Sequence, residues 1–208
     1  MAPQFETMTG PTGHALTRTL IVIAILALLA VPAFTALRGC DEKHDANIQH
    51  VKLGGKSYFL EVAADDPTRL KGLGGRTQIA EDGGMLFVFP RAAESSFVMR
   101  DCPIDIDIIF VDPTGRITAM HEMKAEPPRG PDEGVAGVID NSPGSAKYEN
   151  RLKKYPSRFP AQFAIEIKPG SLAGPLKGKI KEGDKLDLPL AALKSRASTA
   201  SALPPGCT

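Results

Sequence analysis

Between residues 96 and 123 the chain concentrates the side chains that could do chemistry. Met99, Arg100, Asp101 and Cys102 stand in succession, Asp105 and Asp107 are two apart, and His121 lies beside Glu122. In an extended backbone successive side chains alternate, so Asp105 and Asp107 share one face while Ile104, Ile106 and Ile108 take the other. A carboxylate on so apolar a strand is at risk of burial, and a buried carboxylate needs a partner or its pKa rises. Arg69, Arg76 and Arg100 are the candidate partners. Three arrangements fit: a structural Arg–Asp network pinning a short helix to a sheet, a polar pocket for an anionic or sugar-like ligand, or an acid–base site in which His121 acts as base. Asp105 and Asp107 would hold a divalent cation only with a third ligand such as Asp101, His121 or Glu122, so no metal site is assigned. Cys102 could be activated by Arg100, since a neighbouring cation lowers a thiol pKa. With no evident His partner it reads as a small packed residue or half of a disulfide.

The elements that position these residues are mostly short strands. Val51 and Leu53, then Tyr58, Leu60 and Val62, alternate around Gly54-Gly55, the pattern of a β-hairpin. Asp65 followed by Pro67 predicts a short capped helix ending at the Gly-rich run 72–75. Further strands are expected over 85–89, 96–100, 104–111, 117–123 and 161–167, with a closing strand within 180–188 that contains the turn Glu182-Gly183-Asp184. Residues 112–115 form a turn by composition. Residues 126–144 are rich in Pro and Gly and form a long loop. Residues 145–154 predict a short basic helix, where Arg151, Lys153, Lys154 and Arg158 make a patch that could meet anionic lipid heads or simply a solvated face. Many short strands without long alternating helices predict a mainly β fold, a single antiparallel β-sandwich or barrel-like domain with one or two short helices.

The chain has 208 residues, 25 basic and 24 acidic, with a net charge of +1, no Trp and three Tyr. That balance gives no electrostatic reason to bind nucleic acid, and few residues could form a stacking platform. Residues 20–37 form an uncharged apolar run preceded by Arg18, as in an export signal or signal anchor. The sequence LRGC at 37–40 is similar to a lipoprotein box, making Cys40 a lipidation candidate, although Arg38 is unusual there. Lipoprotein, uncleaved anchor and cleavage near Ala36 all remain open, and all place the domain on the extracytoplasmic side of the membrane, the periplasm in a Gram-negative cell. If Cys40 carries lipid, Cys102 and Cys207 are left as a possible pair. The expected organisation is an export segment at 1–40, a polar linker at 41–47, the β domain at 48–190 and a low-complexity tail at 191–208, a frayed helix followed by disorder.

A specific run of motifs extends through the β domain: LEVA at 60–63, Arg69, Gly72-Leu73 and Arg76, GMLF at 84–87, FVMRDC at 97–102, IDIIFVD at 106–112, AIEIKPG at 164–170 and Gly183-Asp184. This order resembles the DUF192 family, small β-rich proteins of bacteria and archaea, over roughly residues 51–188. Val98 stands where the family usually has Trp, Asp101 where it has Asn, Cys102 where Thr is common, and Gly74 where Met is frequent. The resemblance implies the fold, and the family has no general activity to carry over. The reading is therefore an envelope-located accessory domain that binds a small ligand or an envelope protein without catalysing a reaction. Its candidate pocket comprises Arg76, Met99, Arg100, Asp101, Asp107 and His121. No cofactor is expected, and the membrane is reached through the N-terminal segment or lipid on Cys40. The alternative is a hydrolase-like enzyme using Asp101 or Asp107 with His121.

Overall fold

Gly54 and Gly55 both take positive φ, +53° and +85°, which a two-residue hairpin turn requires. They join β1 (Ile48–Leu53) to β2 (Lys56–Ala63) as antiparallel partners. A computed structural model describes the chain over residues 47–138, 140 and 142–201. The export segment, the 41–46 part of the linker, Cys40 and Cys207 lie outside the described residues, as does the end of the tail. Among the described residues no helix is long and apolar enough to cross a membrane.

After β2 the chain does not turn back in a second hairpin. Asp65 caps α1 (Asp66–Lys71) by accepting the Thr68 N–H at 2.8 Å, and Pro67 sits in the first turn. This short helix carries the chain across the sheet, so β3 (Gly83–Ala93) enters parallel to β2. The remaining main strands are β5 (Ile106–Val111), β6 (Ile117–Met123) and β8 (Ala161–Ile167), in the sheet order β1-β2-β3-β8-β5-β6. The fold is mainly β, as the short strands and turns predict. The sheet is mixed rather than antiparallel throughout, because the β2–β3 connection is a crossover and not a turn.

A two-stranded ribbon of β4 (Ser96–Phe97) and β7 (Tyr155–Pro156) lies outside this sheet. The expected strand over 96–100 stops after two residues because the chain bends, with Asp101 at φ +51°. The expected closing strand within 180–188 makes a single bridge, Arg116 with Lys185. Its backbone instead folds around the start of β6: Ile117 N–H donates to the Asp184 carbonyl and Gly183 N–H to that of Ile117. Helix α2 (Pro143–Arg151) is capped by Ser142. Helix α3 (Leu190–Ser201) packs over β3 and buries Leu193 and Ala197, so the packed structure runs past residue 190 and into the compositionally simple tail.

Two apolar clusters cover the two faces of the sheet. One includes Leu60, Leu86, Ile109, Ile165, Leu176, Leu193 and Ala197. The other includes Met85, Phe87, Met99, Ile108, Phe110 and Ala164. Strands β5 and β8, each bonded on both edges, are buried along their whole length. The β3–β8 pair comes so close at Gly84 that a Cβ there would stand 2.1 Å from the Glu166 carbonyl oxygen. That clash gives the glycine of the GMLF motif its reason. We expect Gly84→Ala to cost about 3 kcal/mol or more by forcing the two strands apart. Urea unfolding measures this, and a midpoint equal to the parent's would show that the strand pair yields without cost.

Candidate functional site

On the face that carries α1, a cleft of about 510 Å³ opens between the helix, the end of β3, the β4 ribbon and the bend at 98–102. Helix α1 is held there by Arg69, whose side chain is 8% exposed. Its guanidinium donates to the Val88 carbonyl at 2.8 Å and to that of Ala64, and pairs with Asp66. Gly72, at φ +51°, ends the helix where a Cβ would stand 3.3 Å from the Phe87 ring. Phe97 from β4 meets Phe87 and Phe110 edge-on, with centroids 5.1 and 5.4 Å apart. Edge-to-face packing of this kind fixes ring orientation as well as burying area, so the cleft has a stiff aromatic wall.

Glu166 belongs to the lining of this cleft. It is the last residue but one of β8, paired with Met85 on one side and Ile108 on the other. The residue is 6% exposed, and its Oε2 has no hydrogen-bond partner among the described residues. Burial pushes its pKa up to about 8, and the Arg76 charge opposes this only in part. At neutral pH the carboxyl therefore keeps its proton. The Cys102 thiol, which also lines the cleft, donates to the Arg100 carbonyl at 3.3 Å. Burial, reinforced by Glu166 and Asp101, pushes it up to about 12 despite Arg100. It is a packed thiol and not a ready nucleophile.

The six candidate residues do not share one cleft. Arg100 lines the cleft and forms a two-pronged pair with Glu149 at 2.5 and 2.7 Å. Met99 is buried in the apolar cluster beneath. Arg76 makes its own two-pronged pair with Glu61, at 2.6 and 2.7 Å, in a neighbouring shallow depression. Asp101 accepts from Arg129 at 2.9 and 3.1 Å and from Gly137 N–H at 3.0 Å. These partners hold its carboxyl below the usual range against the opposing effect of burial. Asp107 alternates with Ile106 and Ile108 and so faces the opposite side of the sheet. There it accepts the Leu172 N–H at 2.7 Å, and burial raises its pKa. His121 is 2.8 Å from the Pro156 carbonyl and packs between Phe110 and Tyr155. Asp105 accepts from Lys124 and the Ala125 N–H. Asp107 and His121 are thus on different faces, and among the described residues no three His, Cys, Asp or Glu converge as a metal site.

Two features escape the sequence reading. Glu166 lies inside the AIEIKPG motif, and the signal was there: one carboxylate between two isoleucines of a largely apolar strand. The second is the anchoring of the long loop. The Arg129 guanidinium lies 3.8 Å over the Tyr148 ring, whose hydroxyl accepts the Asp101 N–H at 2.9 Å. Arg151 grips Glu133 at 2.8 and 2.9 Å and, with the Gly130 N–H, holds that carboxyl at about 2. Arg151 also donates to the carbonyls of Pro127 and Pro128. Nothing in sequence spacing pairs these residues. Of the basic patch, Arg151 is paired in this way with Glu133 and Arg158 with Glu182, while Lys153 lies over the Tyr155 ring. Because Arg129 is 6% and Asp101 19% exposed at the side chain, Arg129→Met should cost about 2 kcal/mol, between the values for surface and fully buried pairs. Thermal unfolding of the two proteins checks this, and an unchanged melting temperature would mean that the loop holds without the pair.

A family model described as DUF192, uncharacterized ACR, matches residues 49–188. No curated protein matches the chain. Among solved structures it is similar to a Sinorhizobium meliloti 1021 protein described as a proposed transcription regulator. That likeness has 23% identity and a TM-score of 0.46, and covers 67% of this chain and 90% of that one. It is also similar to a protein of unknown function from Novosphingobium aromaticivorans DSM 12444, with 24% identity and a TM-score of 0.48, covering 68% of this chain and 83% of that one.

Proposed function

We propose, for a chain that belongs to the DUF192 family of uncharacterized proteins, that it is a non-enzymatic accessory domain of the cell envelope whose cleft beside α1 binds a small ligand. The observation that carries this reading is the Glu166 carboxyl, buried in the cleft with Oε2 unpartnered among the described residues. An unmet buried polar group costs about 1–3 kcal/mol, and a leucine would fill the same space without that cost. A ligand that satisfies the carboxyl offsets the cost, which gives the group a purpose in a cleft that it lacks in a sealed core. The aromatic wall, with Leu70 and Leu73, supplies apolar surface beside that buried polar group, and charged residues of α1 and the bend stand around it, a mixture found in small-molecule sites. Binding is favoured over hydrolysis because Asp107 and His121 occupy opposite faces of the sheet and the Cys102 thiol is not primed for attack. The envelope location rests on Arg18, the apolar run at 20–37 and the LRGC sequence before the domain.

The test is the stability of Glu166→Leu. At pH 7 it should be more stable than the parent by about 1–3 kcal/mol, and a ligand-derived mass seen on the parent by native mass spectrometry should be lost. The pH dependence has a definite sign. Glu166 titrates near 8 in the folded protein and from 4.5 ordinarily, so between those values the folded state binds the extra proton. Its contribution to stability therefore falls as pH rises, by at most about 1.4 kcal/mol per pH unit. The raised pKa of Asp107 acts in the same direction but is common to both proteins, so the difference between parent and variant isolates Glu166. A Glu166→Leu protein less stable than its parent across this range would make the carboxyl a structural group and end the ligand reading.

A further inference from the structure

The chemistry at the floor of the cleft narrows the ligand class, an inference that rests on the cleft being a ligand site. A protonated carboxyl presents one O–H donor and one carbonyl acceptor side by side. The charged groups around it are Asp66, Arg69 and Lys71 from α1, Arg100 from the bend, and Arg76 with Glu61 from the neighbouring depression. The three guanidiniums are already engaged, Arg100 by Glu149, Arg76 by Glu61, and Arg69 by two backbone carbonyls and Asp66. A carboxylate ligand would have to shed its water there with no open guanidinium fork to receive it. An ammonium ligand would have to pass Lys71 at the rim, and its ion pair would form only after Glu166 had lost its proton to solvent. A neutral group that both donates and accepts meets neither cost.

We propose that the cleft binds a neutral ligand carrying a carboxamide edge on an apolar body. The amide carbonyl accepts the Glu166 O–H, its N–H donates to the Glu166 carbonyl oxygen, and the body lies along Phe87, Phe97, Leu73 and Val98. Two hydrogen bonds then close a planar ring, for which the carboxyl must turn its Oε2, buried and without a partner among the described residues, toward the cleft. The pairing depends on the proton being present, which links ligand affinity to the titration of Glu166.

Three probes of one size, benzamide, benzoate and benzylamine, separate the possibilities in titrations of the full chain from pH 6 to 9. Each is followed by ligand-observed nuclear magnetic resonance on the parent, Glu166→Gln and Glu166→Leu. Benzamide should bind the parent most tightly below pH 8 and lose about tenfold for each pH unit above it. Glu166→Gln, which keeps a donor beside an acceptor, should bind benzamide without that pH dependence. Glu166→Leu should lose at least tenfold at every pH. Tighter binding of benzylamine that strengthens as pH rises, tightest binding of benzoate, or benzamide binding that survives Glu166→Leu would each overturn the carboxamide assignment while leaving a ligand cleft in place. Failure of all three probes to bind the parent would remove both the assignment and the cleft reading.

Discussion

Strand β8 has neighbours on both edges and an apolar cluster on each face. Water scarcely reaches its side chains, so each is expected to be apolar or to find a partner within the protein. Six of its seven residues comply: Ala161, Phe163, Ala164, Ile165 and Ile167 are apolar, and Gln162 donates to the carbonyls of Phe89 and Pro90. Glu166 alone does not, and it occurs where the covering layer opens into the cleft. Double-sided burial is what raises its pKa, makes the carboxyl neutral and turns an acidic residue into a hydrogen-bond donor. The chemistry of the site follows from the position of the strand more than from the identity of its neighbours.

The layer over that face is assembled with charges. Arg69 fastens α1, Arg100 ties the bend to α2, and Arg129 and Arg151 fasten the loop between β6 and α2. Each guanidinium is committed to a carboxylate or to backbone carbonyls. Arginine suits this because its planar fork meets two oxygens at once with little further loss of freedom. A long Pro- and Gly-rich loop that could not stand as regular structure thereby becomes one wall of a defined surface. Asp101 is central to it, since its φ of +51° turns the chain back while its carboxylate receives Arg129.

Strands, turns and the capped helix are legible in sequence because local patterns set them: alternation in β1 and β2, paired glycines at the hairpin, and Asp65 before Pro67. The direction of β3 is not, since parallel pairing depends on where a crossover lands and no local pattern records that. The site was legible only in part. Arg100 and Cys102 were singled out and do line the cleft, but Asp107 was grouped with them because strand alternation does not say which face looks toward which cover. Arg129, Tyr148 and Glu133 sit in or beside an aperiodic loop and meet Asp101 only through tertiary folding. Glu166 was visible inside a motif, yet its meaning depends on both faces of β8 being covered, which only the complete sheet reveals.

The strand order has a consequence for how the molecule comes together. β1, β2 and β3 form one paired group and β5 and β6 another, and the two are joined through β8 alone. Until residues 161–167 emerge, the halves share no backbone pairing, although more than half of the chain has already been made. Such long-range closure slows folding and leaves the facing edges of β3 and β5 open to other chains. Glu166 arrives on the strand that closes that gap, so the floor of the cleft is laid in the same step that completes the sheet.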